Sequence, residues 1–494
     1  MTIQRAMQTV VFAALVAVML LLSVHTLTSV YQDIGRHIAL GRIIWETQSV
    51  PTVNLFSYTN HDYPFINHHW FAEVLLYLGD RFIGLSGLII VKAVLVAAAF
   101  GLALAARWRN RLAIPGIIVG ILAALILAER TDMRPEVLSF LFLGWFLFVL
   151  YRKPASWLVW TLPLAQLVWV NSHIYFFMGP FVWVAFLIGI AAKDGWRAIT
   201  RRHLLVTLAI AGATLLNPNG LDGALYPFRV FGSYGYSVLE NQNPFFLKAW
   251  GYPQLTSISL YVGIALTAVS FVMNARRFRS NVFGALTTTA TAVLALAMLR
   301  NFPLFALCMM PAVLQNVDQA GWRFGSRVAL GWAIVLLALF GVDIASGQFH
   351  EQATLSRRFG PIVPAGHREP VEFYRAAGIR GPIFNNFDIG SFLIWQLPEE
   401  PVFIDGRPEA YPPDFIQDTY IGMQEDPEVW QQGVQRYGIN AIFWNEYDIT
   451  PWSRTFVARI LKDPDWAMVY RAQGIFILVR DVPQNVSVIR QYRR

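Results

Sequence analysis

Val10-Val-Phe-Ala-Ala-Leu-Val-Ala-Val-Met-Leu-Leu-Leu-Ser-Val24 runs without a charge, and shortly after it comes Asp33-Ile-Gly-Arg-His37. An apolar segment of membrane-crossing character is thus followed at once by a polar stretch that reaches Glu73, and this juxtaposition decides how the rest of the chain is read. Ionisable groups are costly to desolvate near a bilayer. Asp33, His37, His61, Asp62, His68, His69 and Glu73 therefore form a functional-site candidate. Arg5 before the apolar run resembles the start of a signal peptide. The apolar character continues to Val30 with no small-x-small cleavage site behind it, which points to a retained signal anchor.

Outward from that segment the same character recurs. Of 494 residues, 55% are hydrophobic and 14% charged, against roughly 25% charged in an average soluble chain. Apolar windows fall near 8–30, 85–106, 112–128, 136–151, 157–170, 175–192, 203–216, 254–273, 282–299, 302–316 and 328–345. The expectation is a polytopic α-helical membrane protein of about 11 spans, some shorter than the roughly 20 residues needed to cross unaided. The net charge of +8 does not indicate nucleic-acid binding, because the basic residues lie mainly in short loops between windows. One set of alternate loops holds Arg5, Arg107, Arg109, Arg111, Arg152, Lys153, Lys193, Arg197, Arg201, Arg202, Arg276, Arg277, Arg279, Arg323 and Arg327. The other holds Arg36, Arg42, Arg130, Arg134, Arg229, Lys248 and Arg300 over longer loops. The positive-inside rule then places the N-terminus in the cytoplasm, and the 31–73 loop and the C-terminal segment outside. Cys308, the single cysteine, excludes an internal disulfide or a cysteine metal site and is expected to serve packing.

From about 351 the windows stop. Residues 1–350 read as the membrane domain carrying the first outer loop, and 351–494 as a soluble domain. Pro361, Pro364 and Pro370 mark the linker. Strand-like runs Pro382–Phe384, Val402–Ile404, Ala441–Trp444 and Ile475–Val479 alternate with helical stretches Glu372–Ala377, Glu428–Tyr437 and Ser453–Leu461. That alternation predicts a small extracytoplasmic α/β domain.

Within the outer loop, 32–47 has helical periodicity. Gly35, Arg36, Arg42 and Glu46 fall on one side and Ile34, Ile38 and Trp45 on the other, as in an interfacial helix. Asp33 and His37 are spaced i,i+4 at the edge of the apolar stripe, which suits a general base and its partner, or a structural pair capping the first span. His69 and Glu73 repeat the spacing. Together with Asp33 and His37 they could hold a divalent metal, although no dedicated metal motif is present. Polar groups recur at the outer ends of other spans: Asp132-Met-Arg134-Pro-Glu136, Asn171-Ser-His173, Asn217-Pro-Asn-Gly220, Glu240-Asn-Gln-Asn243 and Arg300-Asn301. Each alone could sit in headgroups. Together they favour one cavity for an anionic, hydroxyl-rich ligand, lined by His69, Glu73, Asn171, His173, Asn217 and Glu240. Arg134 and Arg300 are its natural phosphate partners. Asp463-Pro-Asp465 reads as a helix-ending turn, and no phosphate-cradling glycine loop or hydrolase motif is present.

These features resemble the C-type (GT-C) membrane glycosyltransferases, which include protein O-mannosyltransferases, the lipid A aminoarabinose transferase and oligosaccharyltransferases. The chain is most similar to a group of mostly uncharacterised bacterial members. The stretches that carry the resemblance are Asp33-Ile-Gly-Arg-His37 through Arg42, Phe56-Ser-Tyr-Thr59, His69-Trp-Phe-Ala-Glu73, Arg134-Pro-Glu136, Asn217-Pro-Asn-Gly220, Arg300-Asn-Phe-Pro303, Asn386-Phe-Asp388-Ile-Gly390 and Phe403-Ile-Asp405-Gly-Arg407. Asp33 occupies the family's acidic position after the first span. The chain lacks the paired acidic residues of many members and the W-W-D motif of oligosaccharyltransferases. The resemblance implies a bacterial inner-membrane enzyme with a polyprenyl-phosphate-linked sugar donor, an extracytoplasmic hydroxyl acceptor and inversion. Asp33 would then be the base, His37 its partner, and Arg134 or Arg300 would meet the leaving phosphate. Rival readings are a transporter or flippase of a lipid-linked solute, for which Lys92 is the one clear charge inside a span, and a non-catalytic assembly protein.

Overall fold

The computed structural model describes residues 3–27, 31, 33–109, 112–229, 236, 239–249, 251, 254–321, 327–353 and 357–493. Val30, Gln32, Arg111 and Arg323, used in the readings above, lie outside the described residues. The chain forms two compact units. The first comprises Met1–Leu27, Ile83–Pro227 and Val238–Ile362, and the second Thr28–Phe82, Phe228–Ser237 and Val363–Arg494. Contact grouping sets residues 28–82 with the C-terminal residues, whereas the sequence division keeps the 31–73 loop with residues 1–350.

Every apolar window of the first unit carries a helix. Six helices among the described residues are long and apolar enough to cross a membrane, or up to seven if the pair Arg201–Leu215 and Gly220–Arg229, bent by 91°, is one span. Ala113–Ala128 and Trp157–Val170 are shorter apolar helices. The core is the helix Phe302–Ala320, buried on all sides from Phe302 to Asn316. It packs against Ala113–Ala128, Glu136–Arg152, Leu255–Met273 and Val282–Ala297. Apolar packing alone does not favour protein over lipid, so side-chain hydrogen bonds help to join such helices. Asn316 accepts from Asn274 (3.0 Å) and Asn281 (2.7 Å) and donates to Ser270 (3.0 Å), which ties three helices together. Lys92 is buried, and its Nζ donates to the carbonyls of Ser23 (2.6 Å) and Thr131 (2.7 Å). It therefore staples the end of Ile3–Ser23 to the corner after Ala113–Ala128, a structural use of a charge within an apolar helix.

The helical stretch Trp70–Ala105 is broken at Gly84, whose φ of 67° and ψ of 176° interrupt it. A conformation with φ above zero is open to glycine at no steric cost. The segment before the break belongs to the second unit and the apolar segment after it, the 85–106 window, to the first.

In the second unit four strands form one sheet: β1 (Ile383–Asn385), β2 (Ala441–Asn445), β3 (Trp466–Ala472) and β4 (Ile475–Arg480), in the order β1-β2-β4-β3. β1 and β2 are parallel, with Phe384 beside Ile442; the other pairs are antiparallel. Alternate side chains serve two cores. Ala441, Phe443, Ile475, Ile477 and Val479 pack with Tyr374, Phe392 and Val488, whereas Ile442, Trp444, Phe476 and Leu478 pack with Trp430, Val434 and Phe456. The α/β domain is thus a sheet covered by helices on both faces.

Two strand assignments differ from the sequence reading. Val402–Ile404 is not a strand, because side chains and the outer loop take its backbone groups. Asn385 Oδ1 accepts from Phe403 N (2.9 Å), Asn385 Nδ2 donates to Ile404 O (2.7 Å), and Val402 N donates to Phe56 O (3.0 Å). Conversely, Trp466–Ala472 is a strand, joined to β4 through Gln473 (φ 56°) and Gly474 (φ 74°). Positive φ at both central residues is the signature of a tight hairpin turn.

The outer-loop helix runs Ile34–Thr47 and is not amphipathic in its setting. Its first two turns are buried all round, Arg36 included at 8% exposure, while Trp45 is 46% exposed. The helix Phe387–Gln396 packs on it, covering the side that the sequence assigned to solvent. At Gly41 a Cβ would stand 2.0 Å from the carbonyl oxygen of Glu73. Gly41→Ala is therefore expected to destabilise the second unit by about 1–3 kcal/mol through overpacking. Thermal unfolding of the purified chain is the check; an unchanged midpoint would show that the two segments separate easily.

Candidate active site

Of the residues singled out from sequence, Asp33, His37, His69 and Glu73 lie in the second unit, and Arg134, Asn171, His173, Asn217, Glu240 and Arg300 in the first.

In the second unit, His69 and Glu73 stand one helical turn apart, with Glu73 N donating to His69 O at 2.9 Å. His37 approaches from the neighbouring helix, its Nδ1 3.0 Å from Glu73 Oε1. Asn67 Nδ2 donates to the other carboxylate oxygen, Oε2, at 2.7 Å, and Asn67 Oδ1 accepts from His69 N at 3.1 Å. The His69 ring lies edge-on to His37 and tilted against His68, with centroids 5.4 and 3.9 Å away. Glu73 lies ahead of the break at Gly84, outside the apolar spanning segment. Burial pushes its carboxyl up to about 7, opposed by the Asn67 hydrogen bond and the charges of Arg36 and Arg407. The two i,i+4 pairs inferred from sequence are thus linked through His37 and Glu73.

Asp33 precedes the helix with its side chain one-fifth exposed, and Oδ1 is 3.4 Å from Arg36 Nε. Its backbone oxygen accepts from His37 N at 3.3 Å. Gly406 brings a corner of the C-terminal residues close by: a Cβ there would stand 3.0 Å from Asp33 Oδ1 and 3.1 Å from Ser391 Oγ.

That corner is built on a fully buried ion pair. Arg407 grips Asp405 with two parallel bonds, Nε to Oδ1 and Nη2 to Oδ2, both 2.7 Å. Burial alone would raise the Asp405 pKa, but the Arg407 guanidinium and the Tyr411 hydroxyl, which donates to Oδ2 at 2.7 Å, hold it below the ordinary carboxylate value. Arg407 also donates to Asn54 Oδ1 (2.9 Å) and lies over the rings of Phe56 and Phe65, 5.1 and 4.9 Å from their centroids. The Phe403–Arg407 run noted in the sequence is therefore the clamp that fastens the outer loop to the C-terminal fold.

In the first unit, several of the span-end motifs converge. Glu240 accepts from Arg130 Nη1 (2.7 Å) and from Arg134, and Arg130 Nη2 donates to Glu136 (3.0 Å). Burial works to raise the Glu240 pKa, yet Arg130, Arg134 and Arg300 overcome it and keep the group well below the usual range. Arg300 donates to Asn241 Oδ1 (3.1 Å), and its backbone oxygen accepts from the Tyr175 hydroxyl (3.0 Å). His173 Nδ1 is 2.9 Å from Ser139 Oγ. Three guanidiniums thus surround two carboxylates, leaving an excess of positive charge. Asn171 and Asn217 have framework contacts: Asn171 Nδ2 donates to Leu216 O (2.9 Å), and Asn217 Nδ2 to Gly220 O (2.9 Å). The sequence reading counted Arg130 only as a loop charge. Its nearness in sequence to Arg134 and Glu136, in the short corner between two helices, was the available signal.

No protein-family model and no curated protein sequence matches the chain. Solved structures do. The archaeal oligosaccharyltransferase AglB from Archaeoglobus fulgidus, in complex with an inhibitory peptide and a dolichol-phosphate, superposes with a TM-score of 0.62 at 11% identity, covering 98% of this chain and 76% of that one. The A. fulgidus oligosaccharyltransferase in complex with Zn and sulfate gives 0.56 at 13% identity over 96% and 74%. ArnT from Cupriavidus metallidurans, in the apo state, gives 0.49 at 12% identity over 95% and 97%. At these identities the likeness is one of fold: the chain shares the fold of the A. fulgidus oligosaccharyltransferase.

Proposed function

We propose that this protein is an inverting glycosyltransferase that moves a sugar from a polyprenyl-phosphate-linked donor to a hydroxyl acceptor on the outer membrane face. The carrying observation is the shared fold with AglB, a protein solved with dolichol-phosphate bound. The guanidinium cluster of the first unit supports it. In this reading Asp33 takes the acceptor's hydroxyl proton, and the acceptor oxygen attacks the anomeric carbon. The bond from that carbon to the phosphate oxygen breaks, and the electron pair leaves with the lipid phosphate. Preorganised cations meet such a developing charge well, and Arg130, Arg134 and Arg300 supply them, the phosphate competing with Glu240 for Arg134. Glu73, His37 and His69 support the loop that carries Asp33. The test is incubation of the purified chain with labelled polyprenyl-phosphate sugars and membrane extract as acceptor. Transfer of label with release of polyprenyl phosphate is expected; neither transfer nor donor binding would sink the reading.

The same reading has eleven spans in a bacterial inner membrane, the N-terminus in the cytoplasm and the second unit outside. Glu425 is exposed, and Cys308, the single native thiol, is buried. Glu425→Cys is therefore expected to react with a membrane-impermeant maleimide in spheroplasts. Reaction only after lysis would reverse the topology.

A further inference from the structure

We propose that His37, His69 and Glu73 form a binding site for a divalent transition metal of the zinc class, built into the first outer loop. This goes beyond glycosyl transfer and does not depend on it. One ligand atom from each of the three residues falls within a sphere in which no two are more than 4.8 Å apart. Zinc bonds to imidazole and carboxylate are about 2.0–2.2 Å long, so two ligands on one tetrahedral ion stand about 3.4 Å apart, inside the limit that these three donors meet. His37 Nδ1 and Glu73 Oε1 are already 3.0 Å apart. Small side-chain adjustments complete the site.

The donor set selects the metal. Two imidazoles and one carboxylate suit zinc, cobalt or nickel, whereas magnesium and calcium take oxygen ligands. Three protein ligands also leave a fourth position for water or a substrate oxygen, the pattern of an open rather than a closed zinc site. His37 and Glu73 are buried and His69 is half-buried, so the open position lies on the His69 side.

The framework fixes these donors. Gly41 against the Glu73 carbonyl sets the distance between the two helical segments. The i,i+4 spacing places His69 and Glu73 on one face. Asn67 holds Glu73 Oε2 and so leaves Oε1 turned to the imidazoles, an outer-shell contact of the kind that orients metal ligands. Asp33 is not among the three clustered ligands. The metal site and the proposed base are therefore separable by mutation.

The experiment uses the full chain in detergent, stripped with a chelator, loaded with zinc sulfate and dialysed. Elemental analysis is expected to find about one zinc per chain, and cobalt in its place to give a visible d–d absorption band. His69→Ala is expected to lower zinc affinity at least tenfold, and Asn67→Ala to lower it roughly 10–100-fold, the usual range for an outer-shell partner. Asp33→Asn should keep one zinc. The elution profile of each variant without zinc establishes that it is folded. Wild-type chain that retains no zinc, or His69→Ala and Asn67→Ala chains that retain as much as wild type, would overturn the site and leave the role of Asp33 untouched.

Discussion

Asp33→Asn is expected to lower sugar transfer from a polyprenyl-phosphate donor by about 10²–10⁴-fold, the usual loss when a general base is removed. Asn preserves the shape of the side chain and takes away its basicity. The structural cost should be small: the side chain is one-fifth exposed, and its contact to Arg36 is long at 3.4 Å. Expression, unfolding midpoint and donor binding are therefore expected to stay near wild type while turnover collapses. His37→Ala should behave differently. Its ring is buried against Glu73, so its loss opens a void and removes a carboxylate partner, and stability falls along with a smaller drop in rate. Full activity in Asp33→Asn, or loss of activity only through misfolding, would make Asp33 structural and the proposed mechanism wrong.

Arg407→Met is expected to destabilise the second unit by roughly 3–5 kcal/mol, because removing one partner of a buried ion pair leaves the other charge uncompensated. Asp405 is fully buried and would keep only the Tyr411 hydroxyl and nearby backbone groups. The outer loop would also lose its bond at Asn54 and the cation stacked on Phe56 and Phe65. Hydrogen exchange should accordingly rise across residues 52–65, with little change in the apolar helices. The double replacement Asp405→Leu with Arg407→Met should be less damaging than Arg407→Met alone, since apolar side chains can replace a buried pair at little cost. Acid acts on the same pair. The Asp405 pKa is lower folded than unfolded, so the stabilisation is complete above the unfolded value of 3.8 and is lost as the pH falls through the folded one. An Arg407→Met chain as stable as wild type would show that the pair contributes nothing net.

The helices of the first unit were legible because sustained apolar composition is what a bilayer demands, and each of the eleven windows holds one. Their number as independent spans was less legible. Ala113–Ala128 is only 16 residues long, and 201–229 is bent by 91°. The outer loop was misread in one specific way. Periodicity sorts side chains around the 32–47 helix but does not reveal that a second surface, here Phe387–Gln396, covers the polar side and buries Arg36. The candidate residues were picked out by type and spacing, which could not reveal their partners. His37 meets Glu73 from 36 residues away, and Glu240 meets Arg130 across 110. The β3 hairpin was missed, although Val469-Tyr470 followed by Gln473-Gly474 carried its signal, and Val402–Ile404 has strand-like residues but gives its backbone bonds to an asparagine side chain and a distant loop.

The Arg407 clamp also has a consequence in time. Asn54 and Arg407 are 353 residues apart, which at 5–20 residues per second is roughly 20–70 s of synthesis. Throughout that interval the first outer loop is on the far side of translation from the residues that complete its fold, and Asn54, Phe56 and Phe65 await their guanidinium. A chain terminated before Arg407 is expected to lack this contact of the loop that carries Asp33. The Asn54–Arg407 contact therefore forms only after most of the chain has been made.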